Sequence, residues 1–182
     1  MTGATKQNVS FSIRAYRPED NDVVTALFAT GMLFYCPPET THPRILEGFQ
    51  LYVKECFTKD FAHMEETYFQ SGGHFWVATT KIEGEEVIAA MIGLEGKGGG
   101  RGELRRLSVQ DAFRGYGLAR LLVAHLEEWA KTHGFHTIAL NTDGVMVPAR
   151  KLYDSLGYKV VETRILMEDP FFDTFDYEKS LL

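Results

Sequence analysis

The order of apolar and polar residues predicts strands and helices along most of the chain. Apolar residues at Phe11, Ile13 and Ala15 alternate with polar ones, as in a strand with one buried face. Pro18-Glu19-Asp20 then precedes the apolar segment VVTALFA, and this proline-marked, acidic start predicts a helix over 21–31. Three prolines interrupt the pattern, and residues 44–70 resume a largely helical spacing.

The middle of the chain predicts three strands. Residues 74–80 (HFWVATT) and 87–94 (VIAAMIGL) flank the turn sequence Glu83-Gly84-Glu85, which predicts a β-hairpin. A glycine-rich loop over 97–102 leads into GELRRLSV, which predicts a third strand. Simple alternation predicts that Leu104, Arg106 and Ser108 lie on one face of this strand, opposite Glu103, Arg105, Leu107 and Val109.

The remaining segments complete the expected fold. From Gly117 the apolar spacing becomes helical, which predicts a helix over about 116–132 that ends at His133-Gly134. The strand FHTIALN, a helix between Pro148 and Gly157, and strands near 158–166 and 174–181 follow. The order β-α-α-β-β-β-α-β-α-β-β predicts an α+β fold with helices flanking a central mixed sheet, in a single domain over 1–182.

Composition is that of a globular protein. Hydrophobic residues make up 45% and charged residues 24% of the 182 residues, so the chain can bury a substantial core. No apolar run approaches the ~20 residues that span a bilayer, and the start MTGATKQNVS lacks the hydrophobic stretch of a signal peptide. We therefore expect no membrane partner and a cytoplasmic location. Cys36 and Cys56 are expected to be reduced and buried.

The charge distribution favours a small polyanionic ligand. The 19 basic and 25 acidic residues give a net charge of −6, which argues against nucleic acid as a partner. Residues 101–120 nevertheless hold five arginines against Glu103 and Asp111, a local charge of +3 (5 − 2). The six histidines show no metal-binding spacing, so no metal is expected.

A glycine-containing segment, RGYGLA at 114–119, joins a predicted strand to a predicted helix. A helix N-terminus presents backbone N–H groups and a partial positive charge, and glycine lets a phosphate approach the backbone closely. The segment therefore predicts a pyrophosphate site. A P-loop would need Gly-Lys-Ser/Thr, and a dinucleotide fingerprint would need a third glycine where Arg120 stands. A tight turn without a ligand is the structural alternative.

Arg-x-x-Gly-x-Ala at 114–119, preceded by LRRLSV and followed by ARKLYDSLGY, resembles the GNAT superfamily of acetyl-CoA-dependent N-acyltransferases. The likeness spans about residues 74–160 and implies a GNAT-like fold with acetyl-CoA as co-substrate. Within the superfamily, the chain looks most like the camello-like N-acetyltransferases, which acetylate amino-acid derivatives or protein lysines. Camello-like enzymes usually carry a long hydrophobic membrane segment, so their location and substrates do not transfer directly.

The resemblance implies a set of coenzyme-binding residues. Backbone groups of Leu107, Ser108 and Val109 would pair with the pantetheine arm, and the Val109 amide would stabilise the oxyanion. The amides of 114–119 would hold the pyrophosphate, and this segment comprises Arg114, Gly115, Tyr116, Gly117, Leu118 and Ala119. Met146 occupies the place of a family asparagine that contacts the cofactor, while Asn141 and Asp143 lie nearby but out of register.

Two side chains are candidates for proton transfer. Glu103 matches a catalytic glutamate of some family members and is a candidate general base, directly or through water; a solvated carboxylate or a partner of Arg105 is the alternative. Tyr153 lies where many members place a general acid for the coenzyme thiolate, and a packed tyrosine with a satisfied hydroxyl is the alternative.

The expected function is transfer of an acetyl group to a primary amine of a small molecule, an amino-acid derivative, or a protein lysine or N-terminus. A non-catalytic acyl-CoA sensor is the alternative. The acceptor cleft is expected within 31–45 and 166–177, where acidic residues could attract a cationic amine or simply form a solvated loop. The sequence is also compatible with a homodimer.

Overall fold

A seven-stranded mixed sheet forms the centre of the computed structural model, which describes residues 9–182. Its strands are β1 (Ser12–Ala15), β2 (His74–Ile82), β3 (Glu85–Gly96), β4 (Arg101–Val109), β5 (Thr137–Asp143), β6 (Lys159–Met167) and β7 (Phe172–Ser180). The helices are α1 (Asn21–Tyr35), α2 (Pro43–Thr58), α3 (Leu118–Thr132) and α4 (Val147–Ser155). The strand order is β1-β2-β3-β4-β5-β7-β6, and only the β4–β5 pair is parallel. The expected α+β fold and element order are confirmed.

Two predicted helices differ in extent from the observed ones. Helix α1 continues through Gly31 to Tyr35, beyond the predicted end at residue 31. A glycine inside a helix costs about 1 kcal/mol relative to alanine, but Gly31 lies against β4, where an added Cβ would stand 3.4 Å from Ser108 Oγ. The predicted helical stretch 44–70 divides into α2 and a separate π-helical turn, Glu65–Phe69.

The sheet is covered on both faces. On the α3 side, the buried residues include Trp76, Leu94, Leu122, Leu126 and Ile138. On the α1–α2 side, they include Val24, Phe28, Phe49, Phe75 and Met91. Strands β2 and β3 are therefore buried on both faces along most of their length, which explains their nearly continuous apolar sequences.

Strand β4 contains a bulge that overturns the predicted alternation. Met91 pairs with Ser108 and Gly93 with Arg105, so Ile92 of β3 faces two residues of β4, Arg106 and Leu107. Arg106 adopts a left-handed backbone conformation, with φ of 58°. Its side chain turns toward the α1–α2 side, while Leu107 and Val109 pack with Leu104 against the α3-side core. The predicted grouping of Leu104 with Arg106 was therefore wrong.

The structure also bears on the expectations from composition. Cys36 and Cys56 are buried free thiols, and burial raises the pKa of Cys36 to about 11. Among residues 9–182, no helix is both long and apolar enough to cross a bilayer. The cytoplasmic location and the single domain over 1–182 stay predictions.

Candidate active site

Strands β4 and β5 are neighbours for only part of their length. Their parallel pairing covers three residue pairs, from Arg101–Thr137 to Glu103–Ala139, although β4 continues to Val109. The bulge at Arg106 bends β4 just beyond this point, because an extra residue kinks the strand that carries it. The two strands therefore enclose an open wedge. A cavity of about 960 Å³ lies along this part of β4 and reaches the loop before α3.

The amide of Val109 points into this wedge. The neighbouring Gln110 N–H donates to Ala89 O of β3 at 2.8 Å. Hydrogen-bonded and non-hydrogen-bonded pairs alternate along an antiparallel ladder, so the adjacent pair Ala90–Val109 is non-hydrogen-bonded. The N–H group of Val109 is therefore directed away from β3 and toward the cavity, where it can stabilise an oxyanion as expected.

The loop before α3 presents backbone N–H groups to the cavity. Gly117 caps the helix with a φ of 82°, and an added Cβ would meet no atom within 4 Å. The space in front of this residue is therefore open. The first turn of α3, including Leu118 and Ala119, carries N–H groups that have no acceptor within the helix. This end of the cavity fits a diphosphate group, which needs close approach to amides and a positive potential.

Eight of the nine residues expected to hold the coenzyme line the cavity: Leu107, Ser108, Val109, Arg114, Gly115, Gly117, Leu118 and Ala119. The ring of the ninth, Tyr116, packs edge-on against Phe11 with centroids 5.8 Å apart. Tyr116 does not line the cavity, and its expected contact with the coenzyme stays a prediction.

Two arginines border the diphosphate end. The Arg114 side chain folds back, with Nε 3.4 Å from Val109 O and its guanidinium carbon 3.5 Å from the centroid of the Phe34 ring. Arg120 donates from Nη2 to Ser155 Oγ at 2.7 Å, and it forms no ion pair with any residue in the described range 9–182. Its charge is thus available to an anionic ligand.

Glu103 lies where the β4–β5 pairing ends, with its side chain 33% exposed. Lys97 Nζ is 2.9 Å from its Oε2, and Arg105 Nε is 3.8 Å from its Oε1. Arg105 pairs more closely with Glu95. Glu103 is therefore oriented by Lys97 at the cavity wall.

Tyr153 enters the same cavity from α4. It is only 6% exposed, and burial, with a smaller contribution from Tyr35, raises the pKa of its hydroxyl. The phenol is therefore neutral at physiological pH and able to donate a proton. Its hydroxyl makes no hydrogen bond to the rest of residues 9–182, which favours the acid over a packed tyrosine with a satisfied hydroxyl.

Residues 43–158, which contain the whole wedge and both candidate catalytic residues, match the acetyltransferase (GNAT) family. The chain belongs to this family. The GNAT resemblance inferred from the sequence is confirmed, and the protein is an N-acetyltransferase with acetyl-CoA as co-substrate.

Two relatives and one solved structure describe the similarity. The GNAT chain is 27% identical to a probable N-acetyltransferase family 8 member 5 of Mus musculus over 82% of this chain and 84% of that protein. It is 40% identical to the N-acetylaspartate synthetase of Xenopus tropicalis over 62% of this chain but only 42% of the synthetase. A GNAT-family acetyltransferase from Staphylococcus aureus Mu50 shares the fold, with a TM-score of 0.74, 18% identity and coverage of 95% of this chain and 100% of that one. The mouse relative agrees with the expected camello-like resemblance.

The GNAT cavity also holds polar residues to which the sequence reasoning gave no role. Asn141 and Asp143 at the end of β5 both line it, as does Met146, the N-cap of α4. Burial, together with the charge of Asp173, raises the pKa of Asp143 to about 6. Asn141 and Asp143 lie on either side of the buried Thr142 in β5, and this spacing was the available signal, because alternate residues of a strand share a face.

Residues of both ranges expected to form the acceptor cleft line one end of the GNAT cavity. Gly31, Tyr35 and Arg44 line it on one side, and Met167 and Phe172 on the other. These residues belong to α1, α2, β6 and β7, so the expected ranges 31–45 and 166–177 do contribute to the cavity. The acidic residues expected to attract a cationic amine are Glu168, Asp169, Asp173 and Asp176, and one of them is neutralised because Arg164 Nη2 lies 2.8 Å from Asp176 Oδ2.

Proposed function

We propose that the protein acetylates the primary amine of a small acceptor that also carries a carboxylate. The observation that carries the acetyl transfer is the opening of the β4–β5 pair after Glu103 into a cavity lined by both Glu103 and Tyr153. An extended thioester can lie along the free edge of β4, with the diphosphate at the start of α3. The acceptor then approaches from the side of α2, β6 and β7.

The proposed chemistry is direct attack of the amine on the thioester. Glu103, directly or through water, takes the proton from the attacking amine as the C–N bond forms. The Val109 N–H stabilises the oxyanion of the tetrahedral intermediate. When the C–S bond breaks, Tyr153 donates its proton to the leaving thiolate, and burial, which raises the pKa of the phenol, keeps that proton on Tyr153 beforehand.

Arg44 supports the carboxylate-bearing acceptor. Its Nη1 donates to the backbone O of Asp169 at 2.7 Å, and it forms no ion pair with any carboxylate of the described residues. The neighbouring cavity arginines differ, because Arg105 pairs with Glu95 and Arg164 with Asp176. Arg44 therefore has hydrogen-bond donors and a charge available for an anionic group on the acceptor.

The names of the relatives are consistent with such an acceptor. The Xenopus tropicalis synthetase is named for N-acetylaspartate, an N-acetylated amino acid with carboxylates. The chain spans less than half of that enzyme's length, so its substrate is not carried over. The relative supports the class of acceptor rather than its identity.

Paired amines test the acceptor class. Free thiol and N-acetyl product are measured with acetyl-CoA and pairs that differ only in a carboxylate or its carboxamide, with rates corrected for the neutral fraction of each amine. A charge-assisted hydrogen bond is worth about 1.5–3 kcal/mol, so kcat/KM should favour the carboxylate by about 10- to 100-fold. In Arg44→Gln this preference should fall toward unity. Equal rates for both members in the unmodified protein would contradict the acceptor class.

The same assay separates the enzyme from the acyl-CoA sensor. An enzyme releases one thiol for each amine acetylated. A protein that binds acetyl-CoA but releases no thiol with any amine of a broad panel would instead fit the sensor.

A further inference from the structure

The outer edge of the sheet is formed by β6, a nine-residue strand with an unusual apolar surface. Within residues 9–182, its one strand neighbour is β7. Four of its apolar side chains are exposed: Val160 by 44%, Val161 by 56%, Ile165 by 60% and Leu166 by 56%. Edge strands present unpaired backbone N–H and C=O groups, and natural proteins usually cover, shorten or charge such edges.

Two exposed residues of opposite charge, Glu162 and Arg164, flank Thr163 at the centre of β6. Glu162, Thr163 and Arg164 form, with Ile165, the regular stretch between two register irregularities in the β6–β7 pairing. Arg164 is paired with Asp176 of β7, whereas Glu162 forms no ion pair with the other described residues. Glu162 is thus an exposed carboxylate on a strand whose outer backbone N–H and C=O groups can pair with another strand.

The sequence of β6 is complementary to itself. If two copies pair antiparallel about a two-fold axis through Thr163, Glu162 of each copy lies opposite Arg164 of the other. The exposed apolar residues Val160 and Val161 lie on one side of this central stretch and Ile165 and Leu166 on the other, so apolar surface also meets apolar surface. Moving the axis by one residue in either direction places Glu162 opposite Glu162, or Arg164 opposite Arg164. Directly opposed like charges destabilise a strand pair, so the alignment on Thr163 is favoured over its two immediate neighbours.

We propose that β6 is a homodimer interface in which two copies extend their sheets edge to edge, with the two-fold axis at Thr163. Such a contact is isologous, because the same surface of each copy meets its counterpart. Arg164 of each copy would then lie between its own Asp176 and Glu162 of the second copy. Arg164 also lines the acceptor side of the cavity, so the interface borders the cavity mouth.

A charge-swap series tests the interface through the oligomeric state. Sedimentation velocity over a range of protein concentrations should show a dimer for the unmodified protein. Glu162→Arg places arginines opposite one another, and Arg164→Glu does the same with glutamates. Each single variant should weaken the dimer at least ~10-fold, because like charges placed directly opposite one another repel across the contact. Circular dichroism confirms that each variant is folded.

Restoration is the decisive part of the series. The double variant Glu162→Arg/Arg164→Glu recreates both opposite-charge pairs and should dimerise again. Mixing the two single variants also recreates complementary pairs and should give a mixed dimer. A monomeric unmodified protein at all concentrations would overturn the proposal. So would a dimer that both single variants leave unchanged, or single variants whose mixture stays monomeric.

Discussion

Arg106 donates from Nε to Asp60 Oδ2 at 2.7 Å and from Nη2 to Asp60 Oδ1 at 2.9 Å, a bidentate pair at the bulge of β4. Burial opposes the charge on Arg106, but the bonds and charge of Asp60 outweigh it, so the pKa of Arg106 is raised. Tyr68 also donates to Asp60, at 2.7 Å. The pair thus anchors the bulge, with the left-handed backbone of Arg106, to the segment after α2.

Removing one partner of this pair should lower the free energy of unfolding. Asp60→Ala leaves the guanidinium of Arg106 buried without a counter-charge, a change that typically costs about 3–5 kcal/mol. Urea unfolding followed by circular dichroism measures this loss. The neighbouring exposed pair Lys59–Glu55 supplies the control, because Lys59→Met should change the free energy of unfolding by less than about 1 kcal/mol. Equal effects of the two variants would contradict the structural role of the buried pair.

Tyr153→Phe removes the proposed acid without disturbing the ring. We expect kcat to fall by about 10²-fold, because positioned proton transfer contributes on this scale. Binding of coenzyme A, measured by calorimetry, should be unchanged. Tyr158→Phe is the matched control, since its ring lies 5.7 Å from that of Tyr153 but does not line the cavity. If Tyr153→Phe turns over at the unmodified rate, Tyr153 is not the acid.

Glu103→Gln should lower kcat/KM by about 10²-fold or more if the carboxylate takes the amine proton. The loss should shrink as the pH rises, because the fraction of neutral amine then increases. Glu95→Gln is the control for loss of an ion pair with Lys97. Glu95 Oε1 lies 2.6 Å from Lys97 Nζ, but Glu95 does not line the cavity. A similar loss in both variants would assign Glu103 a role in the ion-pair cluster rather than in proton transfer.

Gly117→Ala tests the diphosphate site. The φ of 82° makes any side chain unfavourable by about 1–2 kcal/mol, and the new methyl group would enter the open space in front of the loop. Gly157→Ala has a similar cost, with a φ of 87° after α4, but it lies outside the cavity lining. Both variants should lose similar stability, whereas only Gly117→Ala should lose coenzyme affinity, by about tenfold or more. Equal coenzyme affinities in the two variants would place the diphosphate elsewhere.

Asp143 should make stability depend on pH. Burial raises the pKa of Asp143 from 3.8 to about 6, so the folded state binds more protons than the unfolded state between these values. The free energy of unfolding contributed by this group therefore falls as the pH rises from 4 to 6. Asp143→Asn removes this dependence on pH. The free energy of unfolding of the variant minus that of the unmodified protein should therefore be larger at pH 7 than at pH 4, by up to about 3 kcal/mol.

Urea titrations at pH 4 and pH 7 measure this difference. The exposed Asp154, on α4, provides the control, and Asp154→Asn should show no comparable change between the two pH values. A pH-independent effect of Asp143→Asn would show that burial does not disfavour its ionised form.

Local sequence was sufficient for the element order and for the loop before α3. The spacing of apolar residues and the glycines at 115 and 117 act within a few positions, so they can be interpreted without the fold. The bulge at Arg106 could not be predicted in this way. Its left-handed backbone is held by Asp60, 46 positions away, and no local signal favours that conformation for arginine.

The cavity residues show the same limit. Glu103 and Tyr153 were named from motifs, and both line the cavity. Arg44 and Arg120 gain their significance only because they have no carboxylate partner among the described residues, which depends on how distant elements pack. The pairing of side chains is a tertiary property, and the sequence alone does not carry it.

Isothermal titration of the folded protein with coenzyme A tests the central claim most directly, because every assigned role depends on the wedge between β4 and β5 binding the coenzyme. We predict saturable binding with one site per chain and a rise in unfolding temperature with coenzyme concentration. Neither binding heat nor a shift of the unfolding temperature at millimolar coenzyme A would contradict the account.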